Sequence, residues 1–268
     1  MTVSRIARYA VLGKPVAHSL SPVMHRAAFR ALGMRATYEA IEAGPDDAPT
    51  IFARLRDACY AGWNVTTPLK AQALGLVDHA SDQARAAASV NAVRLDADGV
   101  LEGHSTDGMG LIQALGELWS FDPDGQTALV LGSGPAARAA VVALRERGAD
   151  VACWARDGER AARLAPPLSR KPALIVSALS AEAVLPGYVL AAADELTLIF
   201  DCNYGRNHSP VGAMRGERRS DGLPLLLHQG ALSFEWWTGR PAPLSAMREA
   251  LLAHSSGAKH HLERTPPS

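Results

Sequence analysis

The first residue in this 268-residue chain whose setting suggests chemistry is Lys70. It ends the run N-V-T-T-P-L-K, which follows Ala61-Gly62-Trp63. Thr67-Pro68 reads as an N-cap followed by proline at the first helical position, which puts Lys70 at the third. A helix N-terminus carries partial positive charge, so a partly desolvated ammonium there is disfavoured and the lysine can trade protons. The alternative is a solvated surface lysine. Asp107 is the second candidate. The turn Asp98-Gly99 lies between two β-prone stretches and predicts a hairpin. A hairpin returns the chain to where it left, so Asn91 and Asp107 present an amide and a carboxylate at one end. Asp107 could equally be no more than the N-cap of a helix over residues 108–118.

A third cluster is T-A-L-V-L-G-S-G-P-A-A-R, an apolar run followed by Gly132-x-Gly134-x-x-Ala137 and an alanine-rich stretch. A strand, tight glycine turn and helix in that order form the fingerprint that admits a pyrophosphate to a helix N-terminus. The alternative is a strand–helix turn that binds nothing. Past the next strand, over residues 150–154, stand Ala155-Arg156-Asp157. An acid at that strand end takes ribose hydroxyls, whereas an arginine suits a 2′-phosphate, so NADP is favoured and NAD stays possible through Asp157. The alternative reading of Arg156 is a solvated loop residue.

The elements that must hold these groups alternate. Residues 9–12 predict a strand, and Ser21-Pro22 starts a helix that stops at Gly33. Residues 38–41 predict a second strand, 48–59 a helix, and G-W-N-V-T the strand that delivers Lys70. Such alternation implies a mainly parallel sheet whose strand ends gather residues at one edge. S-F-D-P-D-G-Q then reads as a linker, and strands over 173–177 and 196–201 extend a second, doubly wound sheet. The fold class is α/β.

Composition narrows the partner. Lys plus Arg and Asp plus Glu balance at 27 each, so no net field draws the chain to nucleic acid or an anionic membrane, and a small molecule is the better fit. The longest apolar runs fall short of a bilayer span, and no basic segment followed by an apolar one opens the chain, which points to a soluble, cytoplasmic protein. Three dispersed cysteines, Cys59, Cys153 and Cys202, without C-x-x-C, argue against disulfides and zinc and read as ordinary buried thiols. The nine histidines show no ligand spacing, so no metal is expected.

Taken together, A-H-S-L-S-P, N-V-T-T-P-L-K, V-N-A-V, S-T-D-G, G-S-G-P-A-A-R and D-G-L-P-L-L-L-H-Q-G-A occur in the order found in shikimate dehydrogenases, and the chain resembles that family from about Tyr9 to Leu252. The resemblance implies a substrate-binding and catalytic domain over residues 1–106, completed by C-terminal helices at about 230–256. It implies a Rossmann NADP-binding domain over 107–229 and the site in the cleft between the two; residues 257–268, polar and proline-ending, read from their composition as a disordered tail. It implies reversible reduction of 3-dehydroshikimate to shikimate by a monomer or homodimer, with Lys70 and Asp107 as the catalytic pair. Ser19 and Ser21 match hydroxyls that hold the substrate carboxylate, although Ser21 could serve only as an N-cap. Thr66, Asn91 and Gln229 match residues on the ring hydroxyls, and Tyr204 matches a tyrosine near the carboxylate. Read alone, Gln229 is an exposed helix residue. On the cofactor side the resemblance implies Asp82, Gly132, Ser133, Gly134, Pro135, Ala136, Arg156, Cys202 and Gly222.

The chain also departs from the family. Ala155-Arg156-Asp157 keeps only the arginine of a usual Asn-Arg-Thr. Ser177-Ala178-Leu179-Ser180-Ala181-Glu182 replaces a polar Asn-Ala-Thr-x-x-Gly, and Pro224 replaces a glycine, stiffening a loop near the nicotinamide. Two other readings follow. One is a quinate or amino-shikimate dehydrogenase; Ser21, where quinate-preferring relatives have Thr, weighs against quinate. The other is a non-catalytic sensor of shikimate or dinucleotide, against which the retained Lys70 and Asp107 speak.

Overall fold

The computed structural model describes residues 6–165, 170–205 and 208–254, so the tail over 257–268 lies outside the described residues. The chain divides into two compact units, one of residues 6–106 with Gln229–His254, the other of Asp107–His228.

The first unit is built on a six-stranded sheet, formed by β1 (Ala7–Gly13), β2 (Ala36–Glu42), β3 (Gly62–Val65), β4 (His79–Ala80), β5 (Ala92–Leu95) and β6 (Leu101–His104), in the order β2-β1-β3-β5-β6-β4. The pairs β1–β2, β1–β3 and β4–β6 are parallel, as the alternation of strand and helix requires. The hairpin turned at Asp98-Gly99 makes β3–β5 and β5–β6 antiparallel. The parallel strands β1, β2 and β3, together with β6, therefore end at one edge, and β5 starts there.

Helix α1 (Ser21–Ala31) stops where Gly33 takes a left-handed φ of 63°, with the Met34 N–H bonded back to the Phe29 carbonyl. Helix α2 (Ala48–Asp57) closes in the same way, but its left-handed residue is Cys59, φ 52°. That turn leaves Cys59 exposed, and Cys153 and Cys202 are half-buried, so the three are not the buried thiols that composition suggested. Short helices α3 (Lys70–Ala73) and α4 (Asp82–Ala86) complete the N-terminal part.

The second unit carries α5 (Asp107–Trp119), β7 (Thr127–Leu131), α6 (Pro135–Glu146), β8 (Asp150–Trp154), α7 (Gly158–Leu164), β9 (Leu174–Ser177), α8 (Gly187–Leu190), β10 (Leu198–Asp201) and β11 (Arg219–Ser220). Its all-parallel sheet runs β11-β10-β9-β7-β8. Alternate residues of each strand face opposite layers: Ala128, Val130, Val176 and Phe200 pack with α5 and α6, while Leu129, Leu131, Ile175 and Ile199 join Val189 and Met214. The fourth strand begins two residues later than the apolar run predicts, because the Leu196 N–H bonds the Asp194 side chain in a turn that leaves Leu196 exposed. The last helices are α9 (Leu223–Thr238) and α10 (Leu244–His254).

In the first unit α9 and α1 cover one face of the sheet through an aromatic cluster. Tyr9 stacks on Phe29 at 5.1 Å, Phe29 meets Phe234 at 5.5 Å, and Trp237 meets Tyr9 at 5.1 Å. Trp237 lies so close to the sheet that a Cβ on Gly62 would come within 2.6 Å of its Nε1, so that strand position has room only for glycine. His25 of α1 is fully buried in this cluster, stacked on Tyr38 at 4.5 Å and 6°. Neither of its ring nitrogens has a hydrogen-bond partner among the described residues.

Burial pushes the His25 imidazole down from 6.5 to about 3; the nearby Asn64 side chain opposes this only weakly. Between those values the unfolded chain binds the extra proton, so folding stability falls as the pH drops below 6.5, by up to about 1.4 kcal/mol per pH unit. Urea unfolding should show a steeper loss of stability from neutral pH to about pH 4.5 in the wild type than in His25→Phe, in line with that linkage. Parallel pH profiles would exclude a buried neutral imidazole.

Candidate functional site

The sheet edge of the first unit collects most of the side chains singled out in the sequence. Ser19 and Ser21 follow β1, and Ser21 is 5% exposed. Ser21 is the first residue of α1 rather than its cap; Leu20 holds the cap position, and the Ser21 N–H donates to the Ser19 Oγ at 3.3 Å. Thr66 and Lys70 follow β3. The expected cap at Thr67 is not formed. The Leu69 N–H bonds the Thr66 carbonyl at 2.9 Å, which closes Thr66–Leu69 as a turn, and Lys70 becomes the first helical residue after the cap position Leu69. The half-buried Lys70 is fixed by its own carbonyl, which accepts the Val90 N–H at 2.9 Å, one residue before Asn91.

Behind that edge lies a buried polar network. The Asn91 Oδ1 accepts the Thr106 N–H at 2.7 Å, and its Nδ2 donates to the Thr106 Oγ1 at 2.9 Å and to the Gln229 Oε1 at 3.2 Å. Gln229 is therefore half-buried rather than exposed on α9. The Asn64 Nδ2 donates to the Asn91 carbonyl and to the Ser233 Oγ, both at 3.0 Å, and the Asn64 Oδ1 accepts the Tyr38 hydroxyl at 2.7 Å. Asn64, Thr106 and Ser233 were absent from the sequence reading. Asn64 had left a signal there, as a polar residue inside the four-residue strand G-W-N-V, every position of which is buried.

In the second unit Gly132 follows β7, beside β9, where the strand order reverses and doubly wound sheets bind their ligands. Gly132 has φ 120°, and a Cβ there would meet the Ala178 carbonyl at 3.1 Å. Gly134 caps α6 with extended backbone, and a Cβ on it would meet nothing within 4 Å. Pro135 stands in the first turn, where its missing N–H costs nothing, and Ser133 and Ala136 flank it half-buried. That open space before a helix N-terminus fits a pyrophosphate.

Arg156 is exposed after β8. Asp157 caps α7, its Oδ1 accepting the Arg160 N–H at 3.0 Å and its Oδ2 pairing with the Arg160 Nε at 3.1 Å. Arg138 of α6 is lowered by burial and then by the nearby charge of Arg160. The motif spacing had drawn attention only to Arg156.

Cys202 and Gly222 pack backbone to backbone. The Gly222 N–H donates to the Asn203 carbonyl at 2.9 Å, and a Cβ on Gly222 would lie 2.1 Å from the Cys202 carbonyl oxygen. Pro224 is in the first turn of α9 rather than in a loop, where proline is accommodated without stiffening anything. Asp107, 6% exposed, is the first residue of α5. Tyr204 follows β10 in the second unit, whereas Ser19, Ser21, Thr66, Lys70, Asn91 and Gln229 belong to the first. Asp82 belongs to the first unit as well, exposed at the head of α4 and paired with Arg85 at 2.6 Å.

Comparison with known proteins gives matches to two family descriptions. "Shikimate dehydrogenase substrate binding domain" covers residues 11–93, and "Shikimate 5'-dehydrogenase C-terminal domain" covers residues 222–252. A curated shikimate dehydrogenase (NADP(+)) of Methanopyrus kandleri is 34% identical, covering 91% of this chain and 94% of its own. The crystal structure of shikimate dehydrogenase from Aquifex aeolicus matches with a TM-score of 0.84 at 30% identity, over 94% of this chain and 99% of that one. The shikimate 5-dehydrogenase of Thermus thermophilus, in complex with NADP(H) and shikimate, matches with a TM-score of 0.81 at 35% identity, over 92% and 99%.

The two kinds of glycine should separate experimentally. Gly222→Ala forces a methyl against backbone and should destabilise the fold by about 2 kcal/mol or more. Gly134→Ala has room, so it should leave the thermal midpoint unchanged while weakening dinucleotide binding. Calorimetric melting and titration of both variants check this, and equal midpoint losses would refute the distinction.

Proposed function

The chain belongs to the shikimate dehydrogenase family, and from that premise we propose that it interconverts 3-dehydroshikimate and shikimate with NADP as its redox partner. The observation that carries this reading is the gathering of Ser19, Ser21, Thr66, Lys70, Asn91 and Gln229 at one sheet edge, where hydroxyls, amides and an ammonium suit a polyhydroxylated carboxylate.

NADP supplies or accepts the hydride when bound; the chain does the rest. Lys70 gives a proton to the substrate's C3 oxygen as charge grows there, and takes it back in the reverse direction. The family resemblance gives the Asp107 carboxylate the role of steadying that ammonium. Ser19 and Ser21 donate to the substrate carboxylate, joined by Tyr204, and Thr66, Asn91 and Gln229 hold ring hydroxyls.

The turn of Gly132, Ser133, Gly134, Pro135 and Ala136 would receive the pyrophosphate, and the family resemblance assigns Asp82, Cys202 and Gly222 to the nicotinamide half. Arg156, exposed after β8, offers a cation to a 2′-phosphate. Asp157 is already committed to the Arg160 N–H and guanidinium, which favours NADP over NAD. Free thiols at Cys59, Cys153 and Cys202 support a cytoplasmic setting.

Purified protein mixed with shikimate and either oxidised nicotinamide dinucleotide should produce reduced-cofactor absorbance, faster with NADP+. Shikimate binding without absorbance change from either would overturn the reading. Lys70→Ala should lower turnover by about 10²- to 10⁴-fold while the shikimate dissociation constant changes little. A loss confined to affinity would make Lys70 a binding residue only. Arg156→Ala should cost about tenfold in NADP+ affinity by calorimetry and leave NAD+ affinity unchanged.

A further inference from the structure

We propose that Asn64 and Ser233 are positioning residues that fix the Asn91–Gln229 amide pair and so decide which polar group it offers to a substrate hydroxyl, an inference that rests on the shikimate dehydrogenase reading. Neither residue needs to touch substrate. Asn64 is 5% exposed and Ser233 fully buried.

The orientation of each amide follows from partners that can play only one role. The Thr106 backbone N–H can only donate, so the Asn91 atom 2.7 Å from it is the oxygen, and the nitrogen of Asn91 points to the Thr106 Oγ1 and to Gln229. The Asn91 carbonyl can only accept, so the Asn64 atom 3.0 Å from it is the nitrogen, and the Asn64 oxygen faces the Tyr38 hydroxyl. The second Asn64 Nδ2 proton goes to the Ser233 Oγ. With that lone pair taken, Ser233 spends its own proton on the Gln229 carbonyl one helical turn back, at 2.9 Å. The same carbonyl accepts the Thr106 hydroxyl at 3.0 Å.

Gln229 is thus held through its carbonyl by Ser233, itself bonded to Asn64 of β3, and by Thr106 at the end of the hairpin, and through its Oε1 by Asn91. Its Nε2 is turned away from Asn91 as a donor. The pair therefore meets a substrate hydroxyl with both amides fixed in one orientation, in a ring position set by α9. The stack of His25 on Tyr38, at 4.5 Å, holds the far end of the network.

Ser233→Ala removes the link and keeps the volume nearly constant. Steady-state kinetics should show the KM for shikimate rising about tenfold, with kcat within about twofold and the KM for NADP+ unchanged. Phe52→Leu, a truncation in the apolar cluster against Trp63, serves as the stability control; it should lower the melting temperature and leave both KM values alone. With 4-deoxy- or 5-deoxyshikimate, whichever lacks the hydroxyl held by the pair, the Ser233→Ala penalty should vanish.

A penalty that persists with both analogues, an equal KM rise in Phe52→Leu, or no KM change would overturn the proposal. Should Ser233→Ala not fold, Tyr38→Phe tests the same network through the Asn64 Oδ1, with a smaller rise in the same direction. Hydrogen exchange at the Asn91 and Gln229 side-chain amides reads the positioning without turnover. It should quicken about tenfold in Ser233→Ala, and unchanged exchange refutes the proposal even if the wild type proves inactive on shikimate.

Discussion

The hydrogen bond from the Thr106 backbone N–H to the Asn91 side chain, 2.7 Å long and almost wholly buried, ties the two ends of the hairpin together. Asn91 precedes β5 and Thr106 follows β6, so this bond keeps the arms in register beyond their last ladder pair, Ala92 with His104. Because β5 also pairs with β3, the same closure sets where Asn64, Thr66 and Lys70 end up. Asp107 is the next residue in the chain, and its backbone leaves a position already fixed by two partners of Asn91. Short polar groups at strand ends achieve this because a buried amide left unpaired would cost about 1–3 kcal/mol.

Helix α9 is held to the sheet by contacts that surround this network. The Trp237 Nε1 donates to the Val93 carbonyl at 2.9 Å, and Arg94 donates to the Trp236 carbonyl at 3.0 Å while lying over the Trp236 ring at 4.8 Å. Arg94 also pairs with Glu102 on the neighbouring strand. Gly62 makes the approach of Trp237 possible. A segment more than a hundred residues distant in sequence thereby supplies Gln229 and Ser233 to a site otherwise made from β3 and the hairpin.

Much of this was legible in the sequence, for identifiable reasons. The Asp98-Gly99 turn, the strand before Gly132 and the stop at Gly33 all rest on local backbone chemistry, and local chemistry survives folding. The cap proposed at Thr67 failed because the Leu69 N–H and the Lys14 N–H found carbonyl partners in a turn, at 2.9 and 3.0 Å, and the helix began later. Gln229 read as exposed because no periodicity along α9 can reveal that Asn91, 138 residues earlier, reaches its side chain. Buried thiols were expected from cysteine's usual preference, and Cys59 escaped it by serving as the left-handed residue that closes α2.

The network of Tyr38, Asn64 and Ser233 bears on how such a chain can diverge. An apolar residue at position 64 would take one hydrogen-bond partner each from the Tyr38 hydroxyl, the Ser233 Oγ and the Asn91 carbonyl, although the Ser233 Oγ would keep the Gln229 carbonyl and the Asn91 carbonyl the Val65 N–H. An alanine at 233 would strand one amide proton of Asn64. Each single step crosses a deficit that only a matching step elsewhere relieves, whereas exchanging all three for apolar groups of similar shape can be nearly neutral. Substitutions at these positions, on β2, β3 and α9, are therefore energetically coupled, and a change at one is tolerated best when the others change with it.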